Sequence, residues 1–451
     1  MTRILRPISK PRLRSCSLIC SLTLLLIGCG YRPPAVITPP AQPTVVPSTQ
    51  TATPVSSPTP SPTPTPDVFA AEFPLGDVAY LLPLTIRHVT PTSAQLFFEL
   101  DRPVAGYLFY QLEGGSEGGR VALPRDTARY QLTLQNLRPG TTYRIRVGIP
   151  DDSGGLAEPR FLGGRWGPLT VHTQAQEGAL RFAVIGDASF GDPVTAALVG
   201  RMAQADLDFV LHTGDVVDET APNANPFESY EHKYYETFAP LLQHMPIYTV
   251  PGNHDYDADI RWQGEPFYFE AFPPFADPLI HATGSNQYYA FSEGRIQFIM
   301  LDSQVFFGVA GRQEEQNWLA ERLADDRFQA AIPVLHVSPF SSSAVHRNEG
   351  LPIRQSWVPL FEAAHVPVVF SGHTHQYERL KVNGIAYIVS GGGSAVTYAQ
   401  GALLPESQVF ARKSHFVLAE LYPNRLDLTS LSVDGETIDQ ASIPLPAPSV
   451  P

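Results

Sequence analysis

The sequence predicts an α/β domain on a mixed sheet, preceded by an all-β sandwich. Three observations in the 451 residues carry that expectation. From Leu180 onward, short apolar runs alternate with helix-like segments, as in chains built from βα units. Between Leu82 and Gln174 only short β-type runs occur, separated by turn residues. From Phe416 to Ile443 three strand-like runs follow one another, with an Asp434-Gly435 turn between the last two. Adjacent strands joined by so short a turn must be antiparallel, so the sheet is mixed.

Taken in order, the chain begins with a targeting segment. Arg3, Arg6, Lys10, Arg12 and Arg14 precede the apolar stretch Leu18 to Ile27, which is too short to span a bilayer comfortably. Leu26-Ile27-Gly28-Cys29 resembles a bacterial lipobox. The resemblance implies that residues 1–28 are a signal peptide, that cleavage falls before Cys29, and that its sulfur is lipidated. The protein is then expected in the cell envelope, lipid-anchored on the extracytoplasmic side of a bacterial membrane. Residues 29–74 read as a Pro/Thr/Ser-rich tether, with Ser57-Pro58-Thr59-Pro60 and its continuation to Pro66. Proline at this density forbids helix and favours an extended, semi-rigid spacer. At roughly 3 Å per residue it spans on the order of 100 Å. The three cysteines, Cys16, Cys20 and Cys29, all lie in this amino end, which leaves the folded part neither a disulfide framework nor a thiolate metal site. Removing residues 1–28 takes the formal charge from -13 to about -18, which argues against a nucleic-acid surface.

Residues 75–176 are the all-β part. Thr85–Val89, Ala94–Glu99, Gly106–Tyr110 and Tyr130–Leu134 are short strand-like runs. Leu137-Arg138-Pro139-Gly140-Thr141-Thr142-Tyr143 and the run to Val147 resemble the corner and strand of fibronectin type III domains. That resemblance implies a seven-strand sandwich of about one hundred residues, with the Leu and Tyr packed at its corner. Nothing in it carries chemistry; His88 and His172 read as exposed strand residues.

Residues 177–447 form the second domain. Arg181–Ile185, Asp208–His212, Ile247–Val250, Ile296–Leu301, Ile332–His336, Val366–Phe370 and Ile385–Val389 read as strands. Val194–Ala205, Tyr230–Leu242 and Glu314–Leu323 read as helices. Five of the strand ends carry residues that ligate metals: Gly186-Asp187, Thr213-Gly214-Asp215, Gly252-Asn253-His254-Asp255, His336 before Val337-Ser338-Pro339, and Gly372-His373-Thr374-His375. A small residue lets the loop turn sharply and leaves room for an ion. Carboxylate, amide and imidazole donors without sulfur suit Fe, Zn or Mn. In open α/β sheets ligands bind at this edge.

These loops resemble those of the calcineurin-like metallophosphoesterases, and most closely the purple acid phosphatases. Gly372-His373-Thr374-His375-Gln376-Tyr377-Glu378-Arg379 matches the subgroup's Gly-His-x-His-x-Tyr-Glu-Arg run, and Ser390-Gly391-Gly392-Gly393 stands where the subgroup has a Gly-rich turn. The resemblance implies a four-layer α/β/β/α sandwich with a dinuclear metal site at its edge. Carried over residue by residue, Asp187 and His375 hold the first metal, Asp215 bridges, and Asn253, His336 and His373 hold the second. His254 contacts the phosphate, and His346, ten residues beyond His336, protonates the leaving group. The chain departs from the pattern at the first metal. Asp218 stands where purple enzymes have a tyrosinate ligand, and Ser189 where other members have a His. Asp218 is a tentative ligand or a loop hydrogen-bonder.

Of the remaining candidates, His212 reads as strand packing or support for the ligands, and Asp302 as a strand-end hydrogen-bonder. His232, His244, His281, His365 and His415 read as structural residues on helices or loops. The expected activity is hydrolysis of phosphate monoesters, with diesters a second option, by a hydroxide held between two divalent or trivalent cations. The alternative is a cell-surface binding module with a degenerate phosphoesterase domain. The expected partners are a phosphate ester and, through Cys29, a membrane.

Overall fold

The computed structural model describes residues 78–149, 160–161, 169–175, 178–218, 226–257, 266–273 and 287–447. The signal peptide, Cys29, the tether and His281 lie outside the described residues.

The amino-terminal part is a sandwich of β1 (Tyr80–Val89), β2 (Ser93–Leu100), β3 (Tyr107–Leu112), β4 (Gly118–Ala122), β5 (Arg129–Gln135), β6 (Thr142–Ile149), β7 (Arg160–Phe161) and β8 (Leu169–His172). One sheet has the order β1-β2-β5, the other β4-β3-β6-β7, with β8 also on β6. Alternation explains the packing. Ala94, Leu96 and Phe98 of β2 face Tyr130, Leu132 and Leu134 of β5 in one apolar core, and Phe98 stacks on Tyr130 with centroids 4.8 Å apart. Leu137 and Tyr143 are buried at the corner, as expected, and the Tyr143 hydroxyl accepts the Arg138 amide at 2.9 Å. The edge strand β4, Gly118-Gly119-Arg120-Val121-Ala122, has no alternating apolar pattern to betray it.

One sandwich residue departs from expectation. His88 is not an exposed strand residue but buried, with Nδ1 2.6 Å from the Tyr248 hydroxyl of the second domain. The reason is docking: Leu82 and Phe97 of the sandwich enter an apolar core of the second domain, and Gln174 donates to Glu293 at 2.7 Å. His172 is exposed, as its position predicts.

The second domain has two face-to-face sheets. Its strands are β9 (Leu180–Ile185), β10 (Phe209–His212), β11 (Ile247–Thr249), β12 (Tyr289–Glu293), β13 (Ile296–Met300), β14 (Ala330–Val337), β15 (Val368–Gly372), β16 (Tyr377–Val382), β17 (Ile385–Ser390), β18 (Ser407–Ala411), β19 (His415–Tyr422), β20 (Arg425–Ser432) and β21 (Thr437–Pro444). One sheet runs β11-β10-β9-β19-β20-β21 and the other β12-β13-β14-β15-β17-β16-β18. Both are mixed: β9, β10 and β11 are mutually parallel, and β19 runs antiparallel to β9.

Strands buried on both faces read as continuous apolar runs, and β9 shows why. Phe182 and Val184 point between the sheets, while Ala183 and Ile185 point outward beneath the helices. Between the sheets Phe182 stacks on Phe209 at 4.9 Å and Phe291 on Phe298 at 5.0 Å. Outside the first sheet lie Pro193–Met202 and the helical stretch from Pro226 to Leu242. Outside the second lie Arg312–Leu323, Leu351–Ser356 and Val358–Ala363. This is the four-layer α/β/β/α arrangement. Pro193 opens its helix behind Asp192, whose Oδ1 accepts the Thr195 amide at 2.8 Å, a side-chain cap with proline at the first turn. The helix expected over 230–242 starts earlier and widens into a π turn, Glu231–Glu236, just before Pro240, which has no N–H to return to Glu236. His415 is not on a helix or loop: it opens β19 and is buried, with Nδ1 2.8 Å from the Lys413 carbonyl.

Candidate metal centre

Because β9, β10 and β11 are parallel in one sheet and β14 and β15 in the other, five ligand-type loops emerge at neighbouring strand ends. The glycines there are needed for space. A Cβ on Gly252 would lie 2.1 Å from Asp215 Oδ1, and one on Gly372 2.6 Å from Asp187 Oδ2. The backbone is also strained: φ is +57° at Asp187, +53° at Asp215 and +68° at His373, a left-handed conformation that non-glycine residues hold only when the surroundings impose it.

The three residues named for the second metal and the bridging Asp215 come together. His336 Nε2 lies 3.1 Å from Asn253 Oδ1, 3.2 Å from His373 Nδ1 and 3.3 Å from Asp215 Oδ1. Tetrahedral bonds of 2.0–2.1 Å imply donor–donor edges of about 3.3–3.4 Å, so this spacing suits a cation. Hydrogen bonds set the imidazoles for ligation. His336 Nδ1 is 2.9 Å from the Thr213 carbonyl and His373 Nε2 is 2.6 Å from Glu349 Oε2, so in the neutral rings the facing nitrogens carry the lone pairs. Burial opposes a charge on His336, yet Asp215 and Asp187 hold its pKa up at about 9. Burial also opposes ionisation of Asp215, but His336, His254 and His373 hold its carboxyl well below the usual range. Buried carboxylates with this pull on positive charge are what a cation site requires.

The first cluster is sparser. His375 Nε2 lies 3.4 Å from Asp187 Oδ1, with Nδ1 tied to the Val396 carbonyl at 3.1 Å. Asp187 also accepts the His373 amide at 2.9 Å. Asp187, Asp215 and His336 present ligand atoms within 4.8 Å of one another, so Asp215 faces both clusters. Asp218 turns elsewhere. Its Oδ1 sits 3.2 Å from His254 Nδ1, its amide donates to the Ser189 carbonyl at 3.0 Å, and its own carbonyl accepts Lys233 Nζ. The position that carries a tyrosinate in purple enzymes here orients His254. That imidazole is 41% exposed, with Nε2 4.0 Å from Asp215 Oδ2.

On the open side stands His346, at φ +62°, 4.6 Å from the His373 ring. Between the two imidazoles is a residue the sequence reading passed over. Glu349 takes His346 Nδ1 on Oε1 at 2.7 Å and His373 Nε2 on Oε2 at 2.6 Å. These hydrogen bonds, His373 first, bring its carboxyl down to about 2 against partial burial. The signal for it is a carboxylate three residues beyond His346. Asp255, adjacent to the Asn-His pair, stitches the loops together by accepting the amides of Gly252, Val216 and Val217 at 2.8, 3.0 and 3.2 Å. Burial and then Asp215 push its carboxyl up to about 7.

The Tyr-Glu-Arg tail of the long motif is structural. Tyr377 and Arg379 Nε both donate to Asp439 Oδ2, at 2.7 and 2.6 Å. Glu378 accepts the Ser342 amide at 2.8 Å and the Ser407 hydroxyl at 2.7 Å, which pins the loop carrying His346. His212 packs edge-on against Phe238 at 5.8 Å under the loops, its ring without a hydrogen bond among the described residues. Asp302 is a strand-end hydrogen-bonder, taking the Tyr256 hydroxyl at 2.5 Å and the Gln304 amide at 2.8 Å.

Residues 180–377 match the family model described as calcineurin-like phosphoesterase. The chain is 27% identical over 295 residues to purple acid phosphatase 15 of Arabidopsis thaliana, covering 58% of this chain and 53% of that protein. It is 26% identical over 274 residues to purple acid phosphatase 1 of Ipomoea batatas, covering 57% and 53%. The chain thus spans about half the length of the curated relatives it matches. In fold it is similar to a purple acid phosphatase from yellow lupin seeds, with TM-score 0.64 and 16% identity over 80% of this chain and 73% of that one. It is also similar to PhoD, with TM-score 0.57 and 13% identity over 80% and 88%.

Proposed function

We propose that this chain, whose residues 180–377 form a calcineurin-like phosphoesterase domain, is a metal-dependent hydrolase of phosphate esters. The observation that carries the reading is the gathering of Asn253 Oδ1, His373 Nδ1 and Asp215 Oδ1 at 3.1–3.3 Å from His336 Nε2, beside Asp187 and His375. Asn253, His336 and His373 would hold one cation and Asp187 and His375 the other, with Asp215 shared. When bound, the pair supplies Lewis acidity: it lowers the pKa of water and offsets charge on the phosphoryl oxygens.

The chain's own groups do the rest. Asp218 takes Nδ1 of His254, so Nε2 is the nitrogen left to contact a phosphoryl oxygen. Glu349 takes Nδ1 of His346, so Nε2 is the nitrogen left to serve the departing oxygen. A leaving alkoxide needs a proton far more than a nitrophenolate does. The five loops lie on two packed sheets, so their donors are preorganised rather than gathered by the substrate.

Monoesters are the first choice of substrate and diesters the second. The test is turnover of nitrophenyl phosphate and bis(nitrophenyl) phosphate by the purified protein, with its metal content measured. A protein that holds two equivalents of metal and turns over neither ester would overturn the reading and favour the binding module. We further propose that the folded part is held at an extracytoplasmic bacterial membrane through lipidated Cys29, on the support of the Leu26-Ile27-Gly28-Cys29 run. Membrane retention of Cys29→Ser, equal to wild type on cell fractionation, would remove that idea.

A further inference from the structure

Beside the metal centre lies a second, ligand-free loop. Residues 395–404 are zippered onto the loop that carries His346. Ala344 N donates to the Ala399 carbonyl at 2.8 Å, Gly401 N to the Ser342 carbonyl at 2.7 Å, and Ser343 bridges Gln400. Leu404 N adds a bond to the Ser342 hydroxyl at 3.0 Å. The loop is therefore as firmly placed as the catalytic groups it adjoins, and it presents Tyr398.

Three observations define what Tyr398 can do. Its amide donates to the His375 carbonyl at 2.8 Å, and its ring lies flat on the His375 ring, 4.2 Å between centroids and 7° between planes. That stack covers one face. The ring also stands 5.8 Å from the His346 ring, on the side where the leaving group must lie if His346 delivers its proton there. Tyr398 is only half-buried, and no described residue hydrogen-bonds its hydroxyl. Two exposed large hydrophobic residues are neighbours in sequence of this pair: Val396, 42% exposed and two residues before Tyr398, and Val345, 40% exposed and next to His346. A half-buried ring with one face taken and standing beside His346 offers apolar surface at the leaving-group side of an otherwise charged site.

Resting on the phosphoesterase reading above, we propose that Tyr398 is a specificity-determining residue whose ring forms the leaving-group subsite and selects phosphate esters of aromatic alcohols over small alkyl ones. The contact is ring to ring, so the hydroxyl is dispensable and the ring is not.

The experiment compares naphthyl phosphate with ethyl phosphate on the metal-loaded full chain and its Tyr398→Ala and Tyr398→Phe variants. The ratio of the two kcat/KM values should fall about fivefold to tenfold in Tyr398→Ala and hold in Tyr398→Phe. Calorimetric binding of naphthylmethyl phosphonate against methyl phosphonate supplies a readout without turnover. Its preference for the aromatic ligand should vanish in Tyr398→Ala while inorganic phosphate binds as before. Equal losses on both esters would mean that Tyr398 merely props His375, and an equal fall in Tyr398→Phe would assign the contact to the hydroxyl; either overturns the proposal. Retained aromatic phosphonate preference with no turnover of any ester would instead sink the phosphoesterase reading and leave the subsite standing.

Discussion

The two halves of the metal centre are unequal. The cluster around His336 draws four donors from four loops, and both of its imidazoles are oriented from behind by the Thr213 carbonyl and the Glu349 carboxylate. The cluster around Asp187 has His375, the shared Asp215 and nothing more from the loop that supplies Asp218, because that carboxylate is engaged by His254. One half offers four donors and the other three. Affinity should follow donor count, so the second-metal cluster should fill first.

The largest test of that asymmetry is the residue the halves share. Asp215→Asn removes a charge from both clusters, and kcat/KM should fall by on the order of 10³-fold, the equivalent of several kcal/mol of transition-state stabilisation. Metal analysis should show both equivalents diminished. Asp218→Asn should do much less, because its loss acts on His254 alone; equal damage from the two variants would place Asp218 among the ligands after all.

Next in size is His346, which stands on the four-donor side without belonging to it. His346→Ala should cost about 10²-fold on an alkyl phosphate, the lower end of what a positioned acid supplies, and far less on nitrophenyl phosphate, with metal content unchanged. Equal loss on both esters would mean that His346 is no acid.

Glu349→Gln probes the orientation of the four-donor half directly. The amide can present its NH₂ to His373 and reverse the imidazole's tautomer, so metal affinity at that half should drop about 10–100-fold, with little change at the other. A calorimetric zinc titration resolving two steps checks this; a variant in which only the weaker step moves would reverse the assignment of the halves.

The smallest effect is on stability, at the far ends of the strands. Glu293 is buried where the sandwich docks, with Gln174 as its partner, and burial pushes its pKa up to about 8. The folded state therefore keeps a proton that the unfolded state releases. Glu293's contribution to the unfolding free energy should be highest below the unfolded carboxyl range and decline as pH rises from about 4.5 towards 8, by up to a few kcal/mol. Glu293→Gln should flatten that decline in urea unfolding at pH 5 and pH 8. An unchanged slope would show that Glu293 is not its source.

Much of the ligand geometry could be read from the chain because it is written locally. An apolar run, a glycine and a donor, as in Ser371-Gly372-His373, put a side chain at a strand end whatever the rest of the protein does. Glu349 escaped notice because it sits in a loop with no apolar frame, and only the fold brings its two oxygens to His346 and His373. Strands β16 and β18 were missed for a related reason. Glu378 and Arg379 look like surface residues until Ser342, Ser407 and Asp439 arrive to pair with them. His88 was misread because its environment belongs to another domain.

By itself, then, the sequence determined an α/β domain on a mixed sheet behind an all-β part, and which residue types stand at which strand ends; the two-sheet sandwich and the corner at Leu137 and Tyr143 came from its resemblance to known families. The former follow from periodicity and turn chemistry over a few neighbouring residues. The tertiary structure alone decided how those ends are shared out. It gave Asp218 to His254, tied His373 to Glu349, laid Tyr398 on His375 and held Asp187, Asp215 and His373 at positive φ. Each of these depends on distances between segments tens to hundreds of residues apart, which are set by the packing of the two sheets and not by any local pattern.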